Sequence, residues 1–555
     1  MQKMTKTWDY LIVTAANDQQ AEAYDIQIQQ RRESGELQQI RHCLVVPDID
    51  GQRIGSGGST LHCIYQVLCR ERRGIGPASF EQAEAILGGL RILIIHAGGD
   101  SRRLPAYSHC GKMFVPLPAK GFASVATSLF DRLVPEFLAL PKADSGQAVV
   151  ASGDALVLFD PSGVRFRRPG ITALASFASP NEAAHHGVFC AHKDGSVRRF
   201  LQKPSPETQV ATAAVNEAGF SVLDLGVMSC DAGAVVQLMR AFFEPRSQGD
   251  GEPVLVWKTG AHAALLSHGV DLYREICCAL GTDTTLDHYL RSVRGAGSTV
   301  DRPLLAEWFH CLRQIPFNLD IVPRCRFFHF GTTRQLITSG IALLAEDSGG
   351  PAPTTLVLNS DINFEIKADH AWIESCFVAD MLTLDGFNTV VGVNVVAPLR
   401  LHKGACLDIS LGISRKGERV WFLRYYDIND TFKDSAEDEG TFCGRPLQSW
   451  RNAIGAVASD LWPAEIPEGE RTLWNARVFP AVDEHKSFPD WLWLFDVETA
   501  TEEQKIRFLE ADRYSSAEIA LRVDQAKFHG RRSGTRTAAA FPGSRKEALP
   551  GRLSC

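Results

Sequence analysis

The chain has 555 residues, 45% hydrophobic and 22% charged, with a formal net charge of −7. Domains run roughly 100–200 residues, so this length implies several structural units, and the composition excludes a disordered chain. The acidic balance excludes a nucleic-acid partner, which calls for a basic excess, but not a nucleotide, which needs only a few local cations.

The first residues, Met1-Gln2-Lys3-Met4-Thr5-Lys6-Thr7-Trp8, contain no apolar stretch, so no signal peptide is expected. Apolar runs such as Ile92 to Ile95 fall far short of the roughly 20 residues that cross a bilayer. The fourteen cysteines are scattered without a CxxC. Reduced core cysteines in a cytoplasmic protein, with no membrane partner, are the expectation.

In chain order, Tyr10–Val13 reads as a strand, Gln19–Arg32 as a helix and Cys43–Pro47 as a second strand. Thr60–Arg70 carries apolar residues at helical spacing. Arg91–His96 is a continuous apolar strand of the kind buried on both faces of a parallel sheet. Ala148–Ala151, Ala173–Phe177 and Val222–Met228 add strands, and Asp231–Phe243 a helix. Asp194-Gly195 between Gly187–Cys190 and Val197–Leu201 predicts a hairpin whose two turn positions tolerate positive φ. The alternation predicts an α/β domain with a mostly parallel, Rossmann-like sheet over residues 1–345. A Gly/Pro cluster at Ser348–Pro353 marks a boundary. Short β segments then predict a β-rich, β-helix-like domain over 350–430, a mixed region over 431–526 and a disordered basic tail over 527–555.

The strongest chemical signal follows the Arg91–His96 strand. It reads Gly98-Gly99-Asp100-Ser101-Arg102-Arg103-Leu104-Pro105, then Gly111-Lys112. A buried strand ending in Gly-Gly puts a turn at the carboxyl edge of the sheet, where α/β folds bind ligands and glycines let backbone N–H groups approach phosphate. Arg103 and Lys112 could bracket a triphosphate from two sides. A second Gly-rich stretch, Gly55-Ser56-Gly57-Gly58-Ser59, reads as a loop leading into the Thr60 helix. It suits phosphate or a base edge, or is a flexible turn. Ser152-Gly153-Asp154 ends the next strand, and Asp154 suits Mg²⁺ or a helix N-cap. Lys203 precedes Pro204 and is expected to be extended. His185 and His186 read as pocket residues or structural histidines.

Together these segments resemble the sugar-nucleotide pyrophosphorylases, whose signature is Gly-Gly-x-Gly-x-Arg-Leu followed by Lys. Ser101 stands in place of the third glycine, Arg102 in the usual Thr/Ser place, and Gly111 in place of Pro. Within that group, Ile54–Leu61, His96–Pro105, His186–Phe189, Phe330–Thr333 and Leu473–Pro480 resemble the fucose-1-phosphate guanylyltransferases, stand-alone or as halves of bifunctional fucokinase enzymes. The resemblance implies GTP and fucose 1-phosphate as substrates, Mg²⁺ as cofactor, and GDP-fucose salvage. It implies Arg103 and Lys112 as catalytic cations. Gly55–Ser59, Gly98, Gly99, Asp100, Ser101 and Arg102 would bind nucleotide. His186, Gly187, Lys203, Asp224 and Gly226 would bind the sugar phosphate. It implies the metal role for Asp154 and places His329 where many relatives carry a second acidic ligand, a poor match for Mg²⁺. Another sugar or base, or an inactive regulatory relative, remain the alternatives.

Overall fold

The structure, a computed structural model, describes residues 7–99, 101–118, 126–144, 146–166, 168–247, 252–437 and 439–534. The chain divides into two compact units: residues 1–100 with 130–327, and residues 101–129 with 328–555. The division differs from the expected 1–345 domain, because the stretch 101–129 belongs with the second unit. Its Tyr107 is buried there, accepting a hydrogen bond at 2.7 Å from Trp372 Nε1.

The first unit is α/β, as the alternation predicts. Its strands are β1 (Trp8–Ala15), β2 (Ile40–Pro47), β3 (Arg91–His96), β4 (Gln147–Ser152), β5 (Ala155–Phe159), β6 (Ile171–Ala178), β7 (Gly187–Ala191), β8 (Val197–Gln202), β9 (Ser221–Cys230), β10 (Phe243–Arg246), β11 (Val254–Trp257) and β12 (Phe317–Ile321). The main sheet has the order β12-β6-β9-β4-β3-β1-β2, with the β7–β8 hairpin on β9. Pairings from β4 through β2 are parallel, whereas β9 runs antiparallel to β4 and β6. The parallel strands have few polar positions because helices cover both faces, and Ile92, Ile94, Tyr10 and Ile12 are among the core residues, each at most 1% exposed. α1 (Asp18–Glu33) starts where Asn17 accepts a hydrogen bond from Gln20 N, and α2 (Gly55–Glu71) packs Leu61, Ile64, Val67 and Leu68 inward. In the β7–β8 hairpin, Gly195 has a positive φ of 86°, Asp194 does not, and the register shifts at Cys190/Ala191. The turn is therefore a glycine bulge rather than the expected two-residue turn, because one left-handed position suffices when the ladder absorbs an extra residue.

In the second unit, short strands recur in threes. Thr355–Leu358, Ala371–Glu374, Asn388–Val391 and Ala405–Ile413 form one ladder, parallel throughout. Asp361–Ile362, Phe377–Val378 and Asn394–Val395 form a second, and Ile366–Ala368, Leu382–Leu384 and Leu399–Leu401 a third. The residue after successive strands of the first ladder is left-handed each time: Asn359, Ser375, then Gly392, with φ of 49°, 54° and 69°. Each repeat turns its corner with the same backbone device. Residues 527–534, expected to open a disordered tail, instead finish a helix, Gln525–Gly534, whose Arg532 is 5% exposed. Its basic residues mask a packing role: Arg532 pairs with buried Glu374 at 2.9 Å. Residues 535–555, the rest of that expected tail, lie outside the described residues.

Candidate active site

Because β1 to β4 run parallel, Thr14, Asp48, His96 and Ser152 come to one edge of the sheet, the edge where α/β folds bind ligands. A cavity of about 450 Å³ opens there. Among the expected nucleotide residues, Gly55, Ser56, Ser59, Gly98 and Gly99 line it.

The first Gly-rich stretch differs from the expected loop: Gly55 opens helix α2 itself. Two of the N–H groups at this helix start are already used, since Gly57 N and Gly58 N donate to Val270 O at 2.8 and 3.1 Å. A Cβ on Gly55 would lie 2.4 Å from Val270 O, and one on Gly58 2.4 Å from Leu265 Cδ1. Packing against Val270, Leu272 and Ile276 thus explains Gly57, and packing against Leu265 explains Gly58; neither lines the cavity.

The Gly98-Gly99 turn is built differently. Ala97 N and Gly98 N donate to Thr14 Oγ1 at 3.1 and 3.3 Å, and Gln20 Nε2 donates to Gly99 O at 2.9 Å. Gly99 needs its glycine for a φ of 120°, while a Cβ on Gly98 would approach no atom of the protein closer than 3.6 Å. Gly98 is therefore free of a packing demand and faces the cavity. Asp100 lies outside the described residues. Ser101, in place of the family's glycine, has the left-handed φ of 50° that a glycine would adopt without strain.

Charged groups complete the cavity. Asp48 accepts from Ser59 Oγ at 2.5 Å, and burial raises its pKa to about 6 despite that bond. His96 shares a hydrogen bond with Thr60 Oγ1 at 2.9 Å, and burial lowers its pKa to about 4, so the ring is neutral at pH 7. Asp271 accepts from Ser56 Oγ at 2.9 Å with one oxygen. Its other oxygen takes Tyr273 N at 3.0 Å and Arg274 N at 2.8 Å, capping a π-helical turn, Leu272–Cys277. Such turns are frequent at functional sites. Buried Glu275 holds Arg274 Nε at 2.6 Å and so fixes that cation at the cavity wall. Exposed Arg53 brings a second guanidinium.

The expected sugar-phosphate residues do not line this cavity, although Gln202, the neighbour of Lys203, does. Lys203 has a left-handed φ of 47° rather than the expected extended backbone. Its N–H donates to His186 O at 3.1 Å, and that bond closes the hairpin tightly enough to override the pre-proline preference. The His186 ring lies 5.1 Å from that of Phe327. A Cβ on Gly187 would lie 2.4 Å from Phe200 Cζ, so packing demands that glycine. Asp224 is 5% exposed. Burial raises its pKa to about 7, partly offset by Gly226 N, which donates to it at 2.9 Å. Gly226, at φ 69°, leaves room beside the Tyr273 hydroxyl.

Asp154 is followed at once by β5, so it caps no helix. It is exposed and accepts from Ser152 Oγ at 2.7 Å through one oxygen, and among the described residues no other hydrogen bond reaches it. Among the described residues no group of three or more His, Cys, Asp or Glu side chains is placed to hold a metal. Asp154 is one carboxylate that would fit Mg²⁺, with water and phosphate oxygens completing its shell. Arg103, Lys112 and His329 belong to the second unit. Arg103 is exposed, and its carbonyl accepts from Thr333 N at 3.1 Å, so the Phe330–Thr333 motif holds the backbone of the signature arginine. Lys112 sits in a 3-10 turn, Lys112–Phe114, after Gly111 at φ 68°. His329 ends a strand, and its carbonyl accepts from Ser339 Oγ at 2.7 Å.

Residues 84–484 match the model of the fucose pyrophosphorylase domain. The chain belongs to the fucose pyrophosphorylase family. It is 26% identical over 560 residues to a bifunctional fucokinase/GDP-fucose pyrophosphorylase of Arabidopsis thaliana, covering 92% of this chain and 50% of that one. It is 26% identical over 535 residues to the fucose-1-phosphate guanylyltransferase of Homo sapiens, covering 85% of this chain and 81% of that one. An L-fucokinase/L-fucose-1-P guanylyltransferase of Bacteroides fragilis is 23% identical over 510 residues, 87% of this chain and 47% of that one. This fucose pyrophosphorylase family member thus spans about half the length of its bifunctional relatives. A solved inositol-1-phosphate CTP transferase from T. maritima is 10% identical with a TM-score of 0.21, covering 63% of this chain and 100% of that one, a likeness too slight to bear on the fold. No helix among the described residues is long and apolar enough to cross a membrane.

Sequence reasoning missed Thr14, Asp48, Arg53, His268, Asp271 and Arg274 as cavity residues. Thr14, Asp48 and Arg53 were within reach, since they lie at or just past the carboxyl ends of β1 and β2, where the same edge rule applies. Asp271 and Arg274 reach the cavity through tertiary packing, and no local pattern announces them.

Proposed function

We propose that this chain transfers GMP from GTP to L-fucose 1-phosphate, giving GDP-L-fucose and pyrophosphate, in a cytoplasmic salvage role. The observation that carries this reading is the polar cavity lined by both Gly-rich motifs, in a chain of the fucose pyrophosphorylase family. The α/β unit is read as a nucleotidyltransferase-type domain, and the parallel ladders of the second unit as a β-helix.

The nucleophile is a phosphate oxygen, already anionic, so in-line attack on the α-phosphorus requires no general base. Catalysis is then positioning and charge neutralisation. The Gly98-Gly99 turn gives phosphates a close approach, and Arg53 and Arg274 supply positive charge on the same cavity. Arg103 and Lys112 are assigned to the leaving pyrophosphate and the α-phosphate, and Lys203 to the sugar phosphate, on their motif positions. Mg²⁺ held by Asp154 would neutralise charge on triphosphate oxygens. Asp224 and Gly226 are assigned to sugar hydroxyls.

The test is pyrophosphate release from the full chain with Mg²⁺, fucose 1-phosphate and GTP, ATP, UTP or CTP in turn. Release with GTP is expected; release with none of them, from folded protein, overturns the reading.

A further inference from the structure

Two carboxylates line the cavity, and their hydrogen bonding differs. Asp271 is spent on the protein: both its oxygens are engaged, by Ser56 Oγ and by two backbone N–H groups of the turn it caps. Asp48 is not. It follows β2 directly, its N–H anchored on Ala15 O at 2.8 Å, and its carboxylate accepts from Ser59 Oγ. No ion pair reaches it among the described residues; Arg53 acts on it only through space. A carboxylate has about four acceptor sites, so Asp48 keeps capacity facing the cavity.

We infer that Asp48 selects the base of the nucleotide by accepting hydrogen bonds from the N1–H and N2–H₂ edge of guanine. The inference rests on the GTP reading above. A carboxylate repels phosphate unless a metal ion bridges the two, a role assigned above to Asp154, so what Asp48 faces is the base or the ribose. Among the bases, guanine alone sets two donors side by side. Adenine and cytosine set a donor beside a ring-nitrogen acceptor, and uracil flanks its N3–H with two carbonyl oxygens, each repelled by the anion. A site that leaves a buried acceptor unpaired with the wrong base discriminates more strongly than a merely tight one. Burial, the largest influence on Asp48, raises its pKa, as expected of an acid held without a cation until a ligand supplies donors.

The experiment compares GTP, inosine triphosphate (lacking only the 2-amino group) and 2′-deoxy-GTP as substrates of the full chain. The unmodified protein is expected to prefer GTP over inosine triphosphate by about tenfold to a hundredfold in kcat/KM, the worth of a hydrogen bond to a charged group. Asp48→Asn, an isostere that keeps an acceptor for Ser59, and Asp48→Ala should both compress that ratio towards one. Discrimination against 2′-deoxy-GTP should not change. An unchanged GTP-to-inosine ratio in both variants, no preference in the unmodified protein, or loss of discrimination against 2′-deoxy-GTP instead would each overturn the inference. Turnover of another nucleotide, or of none, by the unmodified protein would strike at the GTP reading itself, a distinguishable failure.

Discussion

The carboxyl edge of the first unit and the buried polar seam of the second handle charge in opposite ways. In the seam, Arg424 Nε pairs with Asp408 at 2.7 Å, with the two side chains 0% and 2% exposed, and Arg532 pairs with Glu374 at 2.9 Å. Glu374 also accepts from Ser375 Oγ at 2.8 Å and Asn359 Nδ2 at 3.2 Å. At the edge, half-buried Asp48 and buried Asp224 have no ion-pair partner among the described residues, and burial raises both pKa values, to about 6 and about 7. Unpaired buried charge costs stability, and a fold keeps it where a ligand supplies the partner. The seam, by contrast, spends its charges on joining the ladders to the segment at Ser108 and to the Gln525–Gly534 helix.

The largest effect should come from breaking a seam pair. Arg424→Ala leaves Asp408 buried without its cation and should cost about 3–5 kcal/mol, read by chemical denaturation. A loss under 1 kcal/mol would show that the seam tolerates lone charge and would dissolve the contrast. Next comes Lys112→Ala, on a segment that belongs to the second unit but is assigned to chemistry. A drop of ~10²–10³-fold in kcat with unchanged unfolding is expected, by analogy with lost oxyanion donors. Unchanged turnover with lowered stability would move Lys112 to the scaffold side.

Asp224 offers a pH test. Its folded pKa, about 7, lies above an unfolded value near 3.9. Between those values the folded state binds the proton and the unfolded state does not, so this group makes stability fall as pH rises from ~4 to ~7. Asp224→Asn should therefore raise the melting temperature at pH 8, by the equivalent of ~1–3 kcal/mol, and change little at pH 4. It should also raise KM for fucose 1-phosphate if the assignment to sugar hydroxyls is right. Asp430, in the second unit, is raised to about 7 by burial in the same way, so the slope flattens without vanishing. A variant less stable at pH 8 would mean that the Asp224 charge is stabilising.

Much of this was legible in the sequence. Arg91–His96 declared a buried parallel strand through unbroken apolarity, and Gly98-Gly99 a turn at its carboxyl end. The allegiance of residues 101–129 was not legible, because Tyr107 meets Trp372 only after the ladders form. Nor was the Gln525–Gly534 helix: its basic residues read as a solvated tail until Glu374 and Ser375 O are brought to them. The strand pattern of the first unit is local, whereas the meaning of a charge depends on what the fold sets against it.

The smallest and sharpest test separates two glycines of one cavity region. A Cβ on Gly58 would meet Leu265 Cδ1 at 2.4 Å, whereas one on Gly98 would meet only ordinary contacts at 3.6 Å or beyond. Gly58→Ala should cost ~1–3 kcal/mol through overpacking with little change in KM for GTP once folded. Gly98→Ala should leave stability within about 1 kcal/mol, since its backbone is not left-handed. It should nonetheless raise KM for GTP severalfold, because the added methyl stands where the backbone would approach phosphate. Swapped outcomes would mean that the first Gly-rich stretch, not the second, makes the phosphate approach, and the division between packing glycines and ligand-facing glycines would have to be redrawn around α2.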